Sequence, residues 1–162
     1  MDIVGPTAEI NELSVITKTG DISVNSHTTE NVTINNIMLI STTGIIHFSL
    51  SDEGINYISN ALSTTTTGKI EFDFGNNCTY NGTEINLSTT TGKIVVYCTN
   101  MNYLVNVSWL ISTTTGSVYA NITQDFIIEN QLQVSFFITV NTGSIEVLTT
   151  FHEELFCTFL SN

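Results

Sequence analysis

The stretch STTTGKIVVYCTN, residues 88–100, decides how the whole chain is read, because the chain says nearly the same thing before and after it. STTTTGKIEFDF stands at residues 63–74 and STTTGSVYANIT at residues 112–123. Working outward from these phrases, a Thr-Gly pair falls at Thr19-Gly20, Thr43-Gly44, Thr67-Gly68, Thr91-Gly92, Thr115-Gly116 and Thr142-Gly143, with spacings of 24, 24, 24, 24 and 27 residues. A near-constant period with little else kept is the mark of a repeat architecture.

Counting from each glycine, the second residue is Ile22, Ile46, Ile70, Ile94, Val118 and Ile145, and the fourth is Val24, Phe48, Phe72, Val96, Ala120 and Val147. Apolar residues at +2 and +4, with mostly polar residues at +1, +3 and +5, form the period-2 pattern of a half-buried strand that opens at the glycine. Further alternations later in each unit, such as Val105, Val107 and Trp109, leave room for two or three strands per unit, and helical patterning is absent from the units. Trp109 is expected in the core.

A 24-residue unit cannot close a core alone. Stacked on its neighbours at about 4.8 Å, it buries its inward columns and pairs its backbone with the coils above and below. Equal coil lengths follow, since each coil must match the next for parallel ladders to stay in register. The expected fold is therefore all-β: a single-stranded parallel β-helix, or β-solenoid, of about six 24-residue coils, right-handed, with terminal caps. Each glycine then marks a corner needing positive φ or close approach, and each threonine before it bonds the turn or stacks into a ladder.

The boundaries drawn on this basis are an N-terminal cap over residues 1–15, repeats over 16–147 and a C-terminal cap over 148–162. The first segment carries the chain's one proline, Pro6, and in the last Phe151, Leu155 and Phe159 fall at helical spacing. The three additional residues of the fifth unit, near DFIIENQLQVSFFI, predict a bulge or longer loop.

Composition narrows the partners. The chain has 162 residues, three lysines (Lys18, Lys69, Lys93), no arginine and fifteen carboxylates, for a net charge of −12. Such a field repels phosphate backbones, so nucleic acid is excluded as a partner. Only 11% of residues are charged, well under the roughly 25% of ordinary domains, so Ser, Thr and Asn must cover the surface. The start, MDIVGPTAEINEL, lacks the basic and long apolar regions of a secretory leader, and no window offers an apolar run long enough to span a membrane. Cys78, Cys98 and Cys157 are odd in number with no C-x-x-C spacing, which favours buried apolar thiols over disulfides or zinc. Six N-x-S/T sequons occur, at Asn31, Asn77, Asn81, Asn86, Asn106 and Asn121, about as many as this composition gives by chance.

The phrases KTGDISV, TTGKIEF, TTGKIVV and NTGSIEV resemble the recurring T/S-S/T-G-D/K-I-x-V element of adhesin-type β-solenoid families from bacterial and archaeal envelopes, over about 130 residues from Val15 to Val147. The resemblance implies a single-stranded parallel β-helix, an extracellular or cell-surface role and no catalytic residue to carry over. After most of its glycines this chain has Ile45, Lys69, Lys93, Ser117 and Ser144 in place of the family's acidic residue.

Candidate sites are read from the columns. Position −3 holds Thr17, Ser41, Thr65, Thr89, Thr113 and Val140, so with the −1 threonines the chain displays T-x-T on nearly every coil. Two such rows on a flat face could order water and bind ice, but they run into the glycine corner, and a structural threonine ladder is the expected role. The outward +3 and +5 positions bring His47, Ser49, Glu71 and Asp73 onto adjacent coils, and Tyr97 and Tyr119 onto the next two. Carboxylates so placed could serve as the paired acids of a glycan-cleaving solenoid, and the tyrosines could stack on sugars. Lys69 and Lys93 flank the same face, which makes a solvated mixed-charge surface the simpler reading. His27, His47 and His152 lie far apart in the columns and no calcium loop occurs, so no metal or cofactor is expected. The expectation is a non-enzymatic surface, adhesive or assembly protein, meeting a protein or glycan surface or joining copies end to end. The alternative is a carbohydrate-binding or carbohydrate-cleaving solenoid.

Overall fold

The structure, a computed structural model, describes residues 1–4, 8–27, 31–51, 56–76, 78–124 and 132–151. It is an all-β solenoid in which every strand pairing is parallel. The first two coils are built from β1 (Asp2–Ile3), β2 (Ala8–Thr19), β3 (Ile22–Ser26), β4 (Val32–Thr43) and β5 (Ile46–Ser49). The later coils each rest on one long strand: β6 (Asn56–Asn76), β8 (Glu84–Thr99), β10 (Val107–Gln124) and β11 (Val134–Phe151), with β7 (Thr79–Tyr80) and β9 (Asn102–Tyr103) as short additions. Ile22, Ile46, Ile70, Ile94, Val118 and Ile145 form one continuous line through the registers.

The sequence reading opens a strand at each glycine, whereas β6, β8, β10 and β11 run through theirs. The reason lies in the corner geometry. Pairing continues across it, with Gly68 opposite Gly92, Gly92 opposite Gly116 and Gly116 opposite Gly143. The corner absorbs the turn by a change of phase: the −3 residue points inward, −2 and −1 both face solvent, and +2 points inward again, as at Thr89, Thr90, Thr91 and Ile94. Gly92 holds φ of +153°, and a Cβ there would land on the carbonyl oxygen of Gly68. Glycine is required at this column by conformation and by coil-to-coil approach together.

The core is the stack of inward columns. Residues at −7, −5, +2 and +4 bury Ile85, Leu87, Ile94 and Val96 in one coil and Trp109, Ile111, Val118 and Ala120 in the next. Burying each large side chain stabilises the fold by about 1.5–3 kcal/mol. A file of rings runs through the interior: Phe48 stacks on Phe72 at 4.9 Å, Phe74 meets Trp109 edge-on at 5.4 Å, and Trp109 stacks on Phe136 at 5.4 Å. Cys78 and Cys98 are buried free thiols, as expected of small apolar side chains; Cys157 lies outside the described residues.

The ladder reaches into both ends. β1 pairs with β3 and β2 with β4, so residues 2–3 and 8–15 are solenoid strand. At the other end β11 continues through Leu148 to Phe151 in register with β10. The helical cap expected from Phe151, Leu155 and Phe159 falls, beyond Phe151, outside the described residues. The 27-residue offset between β10 and β11 is constant from Val107/Val134 to Gln124/Phe151, which confines the three additional residues to 125–133, mostly outside the described residues. No helix among the described residues is long and apolar enough to cross a membrane.

Candidate functional site

Two faces were singled out by sequence, the T-x-T rows and the outward +3 and +5 columns, and the corner phase splits the first of them. The −3 column is an inner one: Ser41, Thr65, Thr89 and Thr113 are buried, and Val140 closes the column. Its hydroxyls work locally where they bond, with Ser41 Oγ donating to the Gly20 carbonyl at 3.3 Å, Thr65 Oγ1 to the Thr67 carbonyl at 3.4 Å and Thr17 Oγ1 to the Thr19 carbonyl at 3.1 Å. The −1 threonines Thr19, Thr43, Thr67, Thr91, Thr115 and Thr142 are exposed. The two rows therefore lie on opposite sides of the sheet and do not form one T-x-T surface.

The +3 and +5 columns do face outward, and the sheet brings the expected residues together. His47 sits opposite Glu71 and Ser49 opposite Asp73. Glu71 is the hub. Its Oε2 takes Lys69 Nζ at 2.6 Å and lies 3.6 Å from His47 Nδ1. The hydrogen bond from Lys69, reinforced by the charges of Lys69 and His47, outweighs partial burial and holds the Glu71 carboxyl below the ordinary carboxylate range. A general acid needs the opposite shift, toward neutrality.

Asp73 has a different task. Its Oδ1 accepts the Gly75 N–H at 3.0 Å, within a β-bulge between Asp73 and Asn76 where Gly75 takes φ of +67°. The carboxylate thus holds an irregular turn together, a role akin to an Asx turn. Sequence reasoning missed this because Gly75 falls outside the 24-residue period; the adjacent Asp-Phe-Gly-Asn at residues 73–76 is the turn signal that could have found it.

On the next two coils the same face changes character. Tyr97 and Tyr119 hold their ring centroids 6.0 Å apart at 60°, and Lys93 Nζ lies 5.7 Å over the Tyr119 ring. Between Glu71 and Tyr119 in register stands Val95, only 3% exposed although its column faces outward. It lies outside the main core cluster. Tyr97 remains 37% exposed. The face thus has an ionic half around Glu71 and an aromatic half around Tyr119, with Lys69 and Lys93 in register between them.

Elsewhere, Cys98 Sγ lies 3.9 Å from the Tyr103 hydroxyl, and burial pushes the thiol up to about 12 and the Tyr103 phenol well above its usual range. Such a thiol is protonated at physiological pH and unreactive. His27 lies 3.9 Å from Asp2, remote in the columns from His47, and His152 is outside the described residues. Among the described residues no group of three or more His, Cys, Asp or Glu is placed to hold a metal ion.

Comparison of the chain with protein-family models, with curated proteins and with solved structures finds no match.

Proposed function

We propose that the protein is a non-enzymatic structural or adhesive repeat protein of the cell surface or extracellular space, a rigid solenoid that presents faces and ends to other macromolecules. The observation that carries this reading is the state of Glu71. The best-placed carboxylate on the outward sheet is tied to Lys69 and His47 and held ionised, while its neighbour Asp73 is bound to the backbone of a bulge. Two carboxyls so engaged are suited to holding a surface together. The adhesin-type resemblance of the Thr-Gly coils and the uncharged Ser, Thr and Asn covering agree with an exposed, spacer-like role. Electron microscopy of native material tests it: a surface coat or regular rods are expected, and a glycan-cleaving activity lost in Glu71→Gln would overturn the reading.

A second reading is favoured by the tyrosine pair. Tyr97 and Tyr119, with Lys93 Nζ over one ring and Val95 in register with Tyr119, offer an apolar platform beside hydrogen-bonding groups, which suits the face of a sugar ring. Glycan-array binding that is lost in Tyr97→Ala and Tyr119→Ala would establish it, and retention of binding in both would remove it.

A further inference from the structure

The N-x-S/T sequons are alike in sequence, and the fold separates them. Asn86 and Asn121 lie inside β8 and β10 with a coil on either side, Asn86 between Leu62 and Leu110 and Asn121 between Tyr97 and Leu148. Asn86 Nδ2 also donates to Glu84 Oε1 at 3.2 Å. Asn106 commits its side chain to the next coil, its Oδ1 accepting the Gln133 N–H at 2.9 Å. Asn31 and Asn77 fall outside the described residues. Asn81 differs from the other three that are described. In the sequon Asn81-Gly82-Thr83, between β7 and β8, Asn81 and Thr83 are exposed while Gly82 is buried. The Asn81 side-chain amide has no hydrogen-bond partner among the described residues.

The turn that presents it is fixed. A Cβ at position 82 would land on the Ser59 carbonyl oxygen, so the backbone closes onto the preceding coil at the glycine. Tyr80 Oη donates to the Glu84 carbonyl across the same turn. The two residues that define an N-glycosylation acceptor thus project to solvent from a backbone held in place. The neighbouring coil adds a second feature. Asn81 N–H donates to the Ile58 carbonyl at 2.9 Å and Leu104 N–H to the Tyr80 carbonyl at 3.0 Å, which sets Leu104 beside Asn81, about 4.8 Å along the stack. Leu104 is 50% exposed. The C–H face of a sugar attached at Asn81 could cover it and take apolar area out of water.

We propose that Asn81 is a modification site carrying an N-linked glycan. The inference rests on the extracellular or cell-surface reading above, which places the chain where such transferases act. In the transfer, Asn81 Nδ2 forms a bond to the anomeric carbon of a sugar activated as a diphosphate ester. The bond from that carbon to the phosphate oxygen breaks, the diphosphate departs, and one amide proton is lost. The attached sugar adds a bulky, hydrated and uncharged group to a surface already built from Ser, Thr and Asn.

Peptide mapping of native material by mass spectrometry reads the site. The expected result is a glycan mass on Asn81, with Asn86 and Asn121 bare. Asn81 without a sugar would overturn the proposal, and so would equal occupancy of Asn86 and Asn121, which would show that the fold does not select among the sequons. Asp at position 81 with no sugar attached would show deamidation at the Asn-Gly step and overturn it too. Produced in a host that N-glycosylates exported proteins, the full chain should carry the sugar on Asn81. Asn81→Gln and Thr83→Ala should each lose it with unchanged far-UV circular dichroism. A sugar kept on Asn81 in Thr83→Ala would show attachment independent of the sequon and overturn the assignment. If native material forms a surface coat with Asn81 bare, the structural reading stands without this site; material confined to the cell interior removes the two together.

Discussion

Gly92→Ala and Gly20→Ala form a matched pair that isolates the contact between coils. Both glycines sit at φ values that L side chains rarely adopt, +153° and +118°, so both variants carry backbone strain of about 1–3 kcal/mol. Only one carries the second cost. The new methyl at position 92 would fall on the Gly68 carbonyl oxygen, while the methyl at position 20 meets nothing within 4 Å. Relieving that overlap requires the coils to part locally. Both neighbours of Gly92, Gly68 and Gly116, are in register with it, so displacement weakens ladders on two sides. Overpacking of this kind adds about 1–3 kcal/mol. Gly92→Ala should therefore lose about 2–6 kcal/mol and Gly20→Ala about 1–3. In a domain of this size the larger loss lowers the melting temperature by roughly 4–24 °C. Urea and thermal unfolding followed by far-UV circular dichroism reads both values. Equal losses in the two variants would refute the reasoning, because they would show that φ alone fixes the glycine and that the corners do not touch.

Other expectations concern single columns. Thr89→Val and Thr113→Val exchange buried hydroxyls for the side chain that position 140 already carries in the same column, and should leave the melting temperature unchanged or raise it, by the equivalent of up to about 1 kcal/mol; a clear loss would reveal a hydroxyl bond that matters. Asp73→Ala removes the acceptor for the Gly75 N–H and should cost about 1–2 kcal/mol in urea unfolding, whereas Glu71→Ala, on the half-exposed ionic cluster, should cost less than about 1; the reverse order would contradict the bulge assignment. Because the folded-state pKa of Glu71 is depressed, its contribution is present above the unfolded carboxyl pKa and is lost as pH falls through the folded value, so the gap between Glu71→Gln and the parent should close in acid and open toward neutrality. In a Cys157→Ser background, Cys78 and Cys98 should resist alkylation at pH 8 until the chain is unfolded, since burial raises both thiols; rapid labelling of the native protein would contradict their place in the core.

Much of the fold was legible because some columns are chemically monotone. Ile22, Ile46, Ile70 and Ile94 cannot be solvated along with the aromatic and aliphatic residues two positions on, so period and alternation together force a stack of coils. Trp109 is fully buried, as its alternation with Val105 and Val107 indicates. The corner was harder. Threonine is tolerated on either side of a sheet, so nothing in STTTG distinguishes the inward −3 hydroxyl from the outward −2 and −1 ones; only the phase change at the glycine does. The outward cluster was legible as a neighbourhood, since a fixed period gives the register of His47 with Glu71. Its chemistry was not. Lys69 lies two residues from Glu71 on the same outward face, and whether its ammonium reaches the carboxylate is a matter of rotamer. The role of Asp73 depends on Gly75 and a bulge that breaks the period, and nothing in the alternation marks Val95, on an outward column, as buried.

The account stands on coils lying directly over one another. Spin labels at Thr43 paired in turn with Thr91, Thr115 and Thr142 measure this, because these positions are exposed and lie two, three and four coils apart. Stacked coils give distances that rise in even steps of about 4.8 Å per coil, and distances that fail to grow with coil number would contradict the stack.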